Sequence, residues 1–312
     1  MKRMRADFIF TMIVAIGILP LFARGADIAV PSLFVGFTAG ELKTGIAEVN
    51  GTKLYYEIAG SGDPLVLIHG WSFDTRCWDD QFSDFSRSYR VLRYDLRGFG
   101  KSSLPKPGIT YSHTEDLAAL LDFLRIERVH ILGHSFGGKI AIDFALNHPE
   151  RTISLILADA GMDVIGITPS DEIVRWIGDT WKAGRESGID KAKEIWINGS
   201  PFAPAMKNPK SAKKVRQMID DYSGWQWGND DPYVGIPPFP PERLSEIKVP
   251  TLILVGELDP PDYHLMADIQ KKYILGAKKM MISGAGHALN IECPEEFNRI
   301  VLRFLEGVSK RK

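Results

Sequence analysis

The sequence predicts an α/β fold, a doubly wound and mostly parallel β-sheet with helices on both faces. From residue 65 onward, short apolar stretches without polar alternation recur, as is typical of strands buried on both faces of a parallel sheet. Between them lie segments with the spacing of amphipathic helices. Repeated strand and helix units of this kind favour a parallel sheet that alternates with helices along the chain.

An antiparallel hairpin is predicted to open the domain. Residues 46–49 and 53–58 read as two strands, and the Asn50-Gly51 pair between them favours a two-residue turn. Six strands are predicted to follow, at residues 65–69, 91–95, 128–132, 153–158, 251–255 and 279–283. Helix faces are indicated by Leu117, Leu120, Leu121 and Leu124, and by Phe297, Ile300, Val301, Phe304 and Leu305.

One segment interrupts the alternation. About ninety residues with helical periods but no convincing strand separate Asp159 from Thr251, far more than an ordinary connection. We predict a helical lid at residues 161–247, inserted after the sixth core strand, with the core formed by residues 46–160 and 248–310. The segment holds five of the seven tryptophans, Trp176, Trp181, Trp196, Trp225 and Trp227. Most are expected to form the core of the lid, and one or two to line an apolar pocket.

The N-terminal residues resemble a targeting signal. Lys2, Arg3 and Arg5 precede an apolar run at residues 8–22, and small residues follow at positions 23 and 25. The run is shorter than the roughly 20 residues that a membrane span needs. We therefore predict a signal peptide at residues 1–25, export to the periplasm or the medium, and no stable membrane span after cleavage. The alternative is a membrane anchor that stays uncleaved.

Composition narrows the function further. The 312 residues carry a net charge of −1, which provides no large basic field for nucleic acid. With only two cysteines, Cys77 and Cys293, the chain is not a disulfide scaffold. Export would permit one bridge between them, and two separate buried thiols are the other interpretation.

Residues 131–138, Ile-Leu-Gly-His-Ser-Phe-Gly-Gly, join a predicted strand to a helix predicted at residues 139–147. The Gly-x-Ser-x-Gly pentapeptide is typical of a tight turn that holds its serine in a strained, exposed conformation. The following helix N-terminus favours negative charge nearby. Ser135 is therefore predicted to be a nucleophile. The alternative is a glycine-rich connection with an incidental serine.

A serine nucleophile needs a base, and the base needs an orienting acid. His287 follows the last predicted strand and Asp259 follows the preceding one, so both are expected at the sheet edge where Ser135 lies. The order Ser135, Asp259, His287 is the one expected for such a sheet. Individually, Asp259 could cap a helix and His287 could be a surface loop residue. Glu257 and Asp159 are rival acids.

An oxyanion also needs hydrogen-bond donors. The backbone N–H groups of Trp71, after the strand at residues 65–69, and of Phe136 are predicted to form a two-donor oxyanion hole. Both residues are also predicted to contact the substrate. His69 is expected to brace this loop. Arg97 is expected to brace the glycine-rich loop at residues 95–102 rather than to line a pocket.

Together these motifs resemble a known superfamily. They are His69-Gly70-Trp71, Asp95-x-Arg97-Gly98-x-Gly100-x-Ser102, Gly133-His-Ser135-x-Gly137-Gly138, Gly256-x-x-Asp259 and Gly286-His287. In this order they look like the α/β-hydrolases, and the lidded enol-lactonases, haloperoxidase-like esterases and carbon–carbon bond hydrolases look most similar. The resemblance implies a lid after the sixth core strand. Serine at position 135 argues against the relatives that attack epoxides or haloalkanes with aspartate, and an exported address is unusual for ring-cleavage enzymes.

The sequence therefore predicts a serine hydrolase that cleaves a carboxylic ester or lactone through an acyl-enzyme intermediate. The expected partner is a small-molecule ester or lactone with an apolar moiety, and the chemistry requires neither metal nor cofactor. Two alternatives stay open: a carbon–carbon hydrolase or amidase on the same triad, or a ligand-binding protein that retains the triad residues.

Overall fold

The computed structural model describes residues 42–310, which contain an eight-stranded β-sheet flanked by helices. The strands are β1 (Lys43–Val49), β2 (Thr52–Ala59), β3 (Pro64–Ile68), β4 (Arg90–Tyr94), β5 (Val129–His134), β6 (Thr152–Ala158), β7 (Thr251–Gly256) and β8 (Lys278–Ile282). Their order across the sheet is β1-β2-β4-β3-β5-β6-β7-β8. The β1–β2 and β2–β4 pairs are antiparallel and the remaining pairs are parallel. The predicted fold class is confirmed.

Helices connect the parallel strands and fill the long segment between β6 and β7. They are α1 (Asp79–Phe85), α2 (His113–Phe123), α3 (Phe136–Asn147), α4 (Asp171–Glu186), α5 (Ile189–Ile197), α6 (Ala203–Lys207), α7 (Pro209–Asp221), α8 (Trp225–Gly228), α9 (Pro261–Tyr273), α10 (Leu289–Glu292) and α11 (Pro294–Ser309). Short 3₁₀ turns lie at Thr75–Trp78, Pro149–Arg151, Ser200–Phe202 and Pro241–Glu246.

The β1–β2 hairpin turns at Asn50-Gly51, as predicted. Both residues have positive φ, 46° and 71°, which a two-residue turn between right-twisted strands requires. The turn sets the register in which Val49 pairs with Thr52.

The central strands are buried on both faces, which explains their continuous apolar sequence. Every residue of β5 and β7 is buried, and Leu132 in β5 pairs with Leu67 of β3 on one side and Ile156 of β6 on the other. Burial of this apolar surface provides the main stabilisation of the sheet. It also fixes the strand ends from which the polar loops emerge.

The segment between β6 and β7, here called the insert (residues 159–250), contains α4 to α8 and no strand longer than an isolated bridge. It begins its first helix with Ser170, whose side chain accepts a hydrogen bond from the Ile173 N–H at 3.4 Å. The chain returns past Phe239, which bridges Val164. The absence of strands between residues 159 and 250 agrees with the helical periods of the sequence.

Two boundaries at the Gly-x-Ser-x-Gly turn differ from those predicted. Strand β5 continues to His134 and helix α3 begins at Phe136, three residues earlier than expected. Glycine is a poor helix former, so Gly137 and Gly138 favoured a later start. Packing overrides this preference, because a Cβ on Gly137 would lie 2.2 Å from the Ile68 carbonyl oxygen.

The prediction of export, with its alternative of an uncleaved anchor, is wrong. Among residues 42–310, no helix is long and apolar enough to cross a membrane. The predicted signal peptide, residues 1–25, lies outside the described residues. A short apolar run behind basic residues is a compositional pattern that is not specific to export, and no other observation supports an export signal.

The two cysteines are separate thiols. Cys77 is a buried residue of the 3₁₀ turn at Thr75–Trp78, and Cys293 is half-buried between α10 and α11. Burial raises the pKa of both thiols, which favours the protonated form.

Leu132 provides a test of the sheet core. Leu132→Ala is expected to lower the free energy of unfolding by about 2–5 kcal/mol, because it leaves a cavity on one face of the sheet that the neighbouring strands cannot fill. Met281→Ala in β8, where the side chain is 55% exposed, is the matched control and should change stability by less than about 0.5 kcal/mol. Urea denaturation measures both. Equal losses in the two variants would contradict this account of the core.

Candidate active site

Three predicted residues meet at the carboxyl edge of the sheet. Ser135 follows β5, Asp259 follows β7 and His287 follows β8. The His287 Nε2 lies 2.8 Å from the Ser135 Oγ, and its Nδ1 lies 3.1 Å from each oxygen of Asp259. With Nδ1–H donating to the carboxylate, Nε2 accepts the serine hydroxyl. Asp259 and His287 are 5% and 4% exposed, which limits competition from water.

Ser135 occupies a strained turn. Its backbone angles, φ 52° and ψ −114°, lie in a region that residues other than glycine rarely adopt. Its N–H donates to the Ala158 carbonyl at 2.9 Å, and its own carbonyl accepts from Gly138 at 2.9 Å and Gly161 at 3.1 Å. A Cβ on Gly133 would lie 2.2 Å from the Gly137 carbonyl oxygen, so this crossing requires glycine. These contacts hold the serine hydroxyl clear of the backbone and facing His287.

The surroundings of His287 fix the position of its ring and favour the neutral imidazole. Its loop is fixed by Glu292, whose carboxylate accepts the N–H groups of Gly286 and Ala288, both at 3.0 Å. The ring of Tyr263 packs against the imidazole at 4.1 Å between centroids. Burial lowers the pKa of His287 to about 3, so the ring is unprotonated and able to accept a proton.

The two rival acids do not bond to the imidazole. Glu257 is exposed and accepts the Ser283 hydroxyl at 2.6 Å and the Gly284 N–H at 2.8 Å. Asp159 is buried and accepts the Gly256 N–H at 2.9 Å. Asp259 is thus the carboxylate in hydrogen-bond contact with His287.

The loop after β3 lies close to the serine. A Cβ on Gly70 would come within 3.2 Å of the Ser135 Cβ and 2.7 Å of the His134 Nδ1. Ser72 has a positive φ of 63°, and its hydroxyl accepts the indole N–H of Trp196 at 2.8 Å. This bond ties the loop to the insert.

His69 and Arg97 brace neighbouring loops, as predicted. The Leu96 N–H donates to the His69 Nε2 at 3.0 Å, and the His69 Nδ1 lies 2.8 Å from the Gly70 carbonyl oxygen. Arg97 forms a buried, two-pronged ion pair with Asp116 at 2.6 and 2.9 Å. Neither side chain hydrogen-bonds to Ser135, Asp259 or His287.

An aromatic wall extends from the serine toward the insert. We define it as Trp71, His113, Phe136, Trp181 and Tyr233. Within it, Trp71 contacts Phe136 at 5.0 Å and Trp181 at 5.3 Å between ring centroids. Phe136 contacts His113 at 5.5 Å and Tyr233 at 5.7 Å.

The sequence did not indicate His113 or Tyr233, because neither lies in a motif. The fold brings these distant segments together through the isolated bridge between Tyr111 and Tyr233 and through the contact of the His113 and Tyr233 rings at 4.8 Å between centroids. The tryptophans of the insert largely pack on one another, as expected: Trp176 stacks on Trp196 at 4.1 Å, and Trp196 contacts Trp227 at 5.5 Å.

Three residues could in principle share a metal ion. His134, Asp159 and His287 offer ligand atoms within 4.8 Å of one another. Both ring nitrogens of His287 are already engaged, by Asp259 and Ser135. The His134 Nε2 lies 2.6 Å from the His287 carbonyl oxygen, and its Nδ1 has no hydrogen-bond partner among residues 42–310. A metal here would therefore take a His287 nitrogen away from its contact with Ser135 or Asp259.

Comparison with known proteins identifies the family. Residues 65–300 match the model of the "Alpha/beta hydrolase family". The chain belongs to the alpha/beta hydrolases. The family match together with relatives that are named as hydrolases shows that the chain is an enzyme, and the resemblance seen in the sequence motifs is confirmed.

Similar proteins include one named as a carboxylesterase and two named as enol-lactonases. An "Uncharacterized carboxylesterase nap" of Bacillus subtilis is 27% identical over 79% of this chain and 81% of its own. A "3-oxoadipate enol-lactonase 1" of Acinetobacter baylyi is 25% identical over 84% and 97%. The crystal structure of an enol-lactonase from Burkholderia xenovorans covers 84% of this chain and all of its own at 27% identity, with a TM-score of 0.73.

The buried His113 in the aromatic wall should make the stability of the fold depend on pH. Burial lowers its pKa well below the ordinary value, so the unfolded chain binds a proton below about pH 6.5 that the folded protein excludes. The stability contributed by the neutral ring is present above that pH and is lost as the pH falls, at up to about 1.4 kcal/mol per pH unit. Relative to His113→Phe, which keeps an aromatic ring, the wild-type protein should lose stability from about pH 7 to about pH 5.

Urea denaturation of both proteins across this range measures the difference. Parallel stability curves would show that His113 titrates alike in the folded and unfolded states, and would contradict the assigned burial.

Proposed function

We propose that this alpha/beta hydrolase is a serine hydrolase that cleaves a carboxylic ester or lactone. The observation that carries the proposal is the alignment of a strained Ser135, 2.8 Å from His287, with Asp259 on the opposite nitrogen at 3.1 Å. Relatives named as a carboxylesterase and an enol-lactonase support the same bond type.

In the proposed reaction the Ser135 Oγ attacks the carbonyl carbon while the His287 Nε2 takes the hydroxyl proton. Asp259 keeps Nδ1 protonated and stabilises the imidazolium. The negative charge formed on the carbonyl oxygen would be held by the N–H groups of Trp71 and Phe136. Within residues 42–310, neither N–H donates to another backbone carbonyl, so both remain available.

Collapse of this intermediate breaks the bond between the carbonyl carbon and the alcohol oxygen, which receives its proton from His287, and leaves the acyl group on Ser135. The alcohol of an ester departs, whereas that of a lactone stays attached to the acyl group. A water molecule then gives a proton to His287 and its oxygen attacks the acyl carbon. The second tetrahedral intermediate releases the carboxylic acid and restores the serine hydroxyl. Atoms balance with water as the only co-substrate.

We also propose that residues 161–247 act as a lid over a core of residues 46–160 and 248–310. Three contacts support this role: the insert reaches the loop after β3 through Trp196 and Ser72, the aromatic wall through Trp181, and the catalytic imidazole through Phe202 at 6.5 Å. Such a cover would exclude water and shape the acyl or alcohol pocket.

The site favours an uncharged substrate. Lys139, the buried cation beside Tyr233, is paired with Asp143 at 2.8 Å and Asp163 at 3.3 Å. The buried Arg97 is likewise paired with Asp116. A substrate carboxylate would meet the aromatic wall without a free buried cation at these positions, at a large desolvation cost. We therefore propose a neutral ester or lactone with an apolar group packed against Trp71 and Phe136.

Ser135→Ala tests the nucleophile. It should lower kcat/KM for p-nitrophenyl butyrate by at least about a thousandfold, because no acyl-enzyme can form. A spectrophotometric assay measures the loss, and an unchanged thermal melt shows that the variant folds. Ser187→Ala, at an exposed serine after α4, is the matched control and should retain full activity. Substantial turnover by Ser135→Ala would remove Ser135 as the nucleophile.

Substrate charge provides a separate test. p-Nitrophenyl butyrate and p-nitrophenyl hemisuccinate have acyl chains of similar length, but the second ends in a carboxylate. We expect kcat/KM for the hemisuccinate to be at least about tenfold lower, because its charge must be desolvated against the aromatic wall. Equal or higher activity on the hemisuccinate would contradict the neutral-substrate proposal while leaving the triad intact.

A further inference from the structure

A second buried carboxyl group lies beneath the proposed triad. Asp159 follows β6 and Asp259 follows the neighbouring strand β7, in which Leu254 pairs with Ala158. Asp159 is 2% exposed and has a positive φ of 45°, a conformation that aspartate tolerates but that costs some strain. One of its carboxylate oxygens lies within 4.8 Å of a ring nitrogen of His287, the ring to which Asp259 bonds. A side-chain hydrogen bond with Asp259 is among the causes that raise the pKa of Asp159.

The hydrogen bonds of the pair require a proton. One oxygen of Asp159, Oδ1, accepts the Gly256 N–H at 2.9 Å. The other, Oδ2, is buried and has no N–H or hydroxyl donor among residues 42–310. An ionised carboxylate can only accept hydrogen bonds, so two ionised groups cannot bond to each other. A carboxyl–carboxyl hydrogen bond between Asp159 and Asp259 exists only if one of them carries a proton.

The positions of the other donors show which group that is. Both oxygens of Asp259 face the Nδ1–H of His287 at 3.1 Å, which suits the ionised form of Asp259. Oδ2 of Asp159 would be an orphaned buried acceptor if ionised and is a satisfied donor if protonated. The proton therefore belongs on Oδ2 of Asp159.

Electrostatics point the same way. Burial raises the pKa of both carboxyl groups well above the ordinary range, and the hydrogen bond between them raises the pKa of Asp159 further while it lowers that of Asp259. The remaining titratable neighbours are His134, His287 and Tyr263, and burial favours the neutral form of each. A second negative charge at this depth would have no cationic partner among these groups.

We propose that Asp159 is a neutral carboxylic acid that donates a hydrogen bond to Asp259 and so fixes the carboxylate that orients His287. It is a positioning residue, because it acts on the imidazole through Asp259. The proposal rests on the proposed serine-hydrolase function. In this role Asp159 does not compete with Asp259 as the acid that orients His287. Its neutral carboxyl group donates a hydrogen bond that stabilises the negative charge of Asp259 and adds no second charge.

Three substitutions test this role. Asp159→Asn keeps a donor toward Asp259 and an acceptor for Gly256, so kcat/KM should stay within about threefold of wild type. Asp159→Leu removes the donor at similar volume and should lower kcat/KM about tenfold to a hundredfold. Asp259→Asn should cost about ten-thousandfold, because it disturbs the imidazole tautomer directly. p-Nitrophenyl butyrate is the substrate for all three.

Infrared spectroscopy gives a readout that a merely structural role would not change. At about pH 7.5, far above the ordinary aspartate pKa of about 3.9, wild type should show a carbonyl stretching band of a protonated carboxylic acid that Asp159→Asn lacks. Asp122→Asn, at a side chain that is 68% exposed, is the control and should retain the band. This comparison needs only the Asn variant, so it stays decisive even if Asp159→Leu does not fold.

Either of two results would overturn the inference: a loss in Asp159→Asn as severe as that in Asp259→Asn, or no difference in the protonated-acid band between wild type and Asp159→Asn. Failure of the proposed function has another signature, since Ser135→Ala would then retain turnover. The two outcomes are thus separable in one set of variants.

Discussion

The close crossing of backbones at the Gly-x-Ser-x-Gly turn is the constraint on which the site depends. Gly133 and Gly137 leave no room for side chains, and this contact drives Ser135 into a conformation that an unconstrained chain would avoid. The buried strands on either side supply the rigidity that maintains it. A looser crossing would let the serine relax and would break its alignment with His287, because that alignment depends on a single 2.8 Å contact.

Burial then sets the charge states around the serine. It keeps His287 neutral, which is the form that can accept a proton, and it makes any carboxylate beneath the ring costly. A single ionised acid, held by a neutral neighbour, meets both demands: it orients the imidazole and keeps the buried charge to a minimum. The aromatic wall extends the same low-polarity environment to the region where we place the substrate.

The sequence predicted most of the scaffold because its signals were local. Apolar runs located the parallel strands, Asn50-Gly51 located the hairpin turn, and the motif glycines located the sharp turn at Ser135. The carboxyl ends of parallel strands share an edge, so strand assignment alone predicted that Asp259 and His287 would approach Ser135. The start of α3 was misplaced, because helix propensity does not register the packing of Gly137 against Ile68.

Other features depend on contacts between distant segments. His113 and Tyr233 join the aromatic wall through the fold of the insert, and neither residue type stands out in its sequence neighbourhood. Asp159 and Asp259 are a hundred positions apart, so their hydrogen bond leaves no trace in either motif. The prediction of export was wrong, because a short apolar run behind basic residues is weak support for an export signal on its own.

The most direct test of the account is to locate the covalent adduct of a fluorophosphonate. The protein is incubated with the reagent, digested, and analysed by tandem mass spectrometry, with the His287→Ala variant in parallel. We expect the phosphonyl group on Ser135 alone in wild type and little labelling in the variant, since the serine needs its base. Labelling of a different residue, or ester turnover without any labelling of Ser135, would contradict the central claim that Ser135 is the nucleophile of this hydrolase.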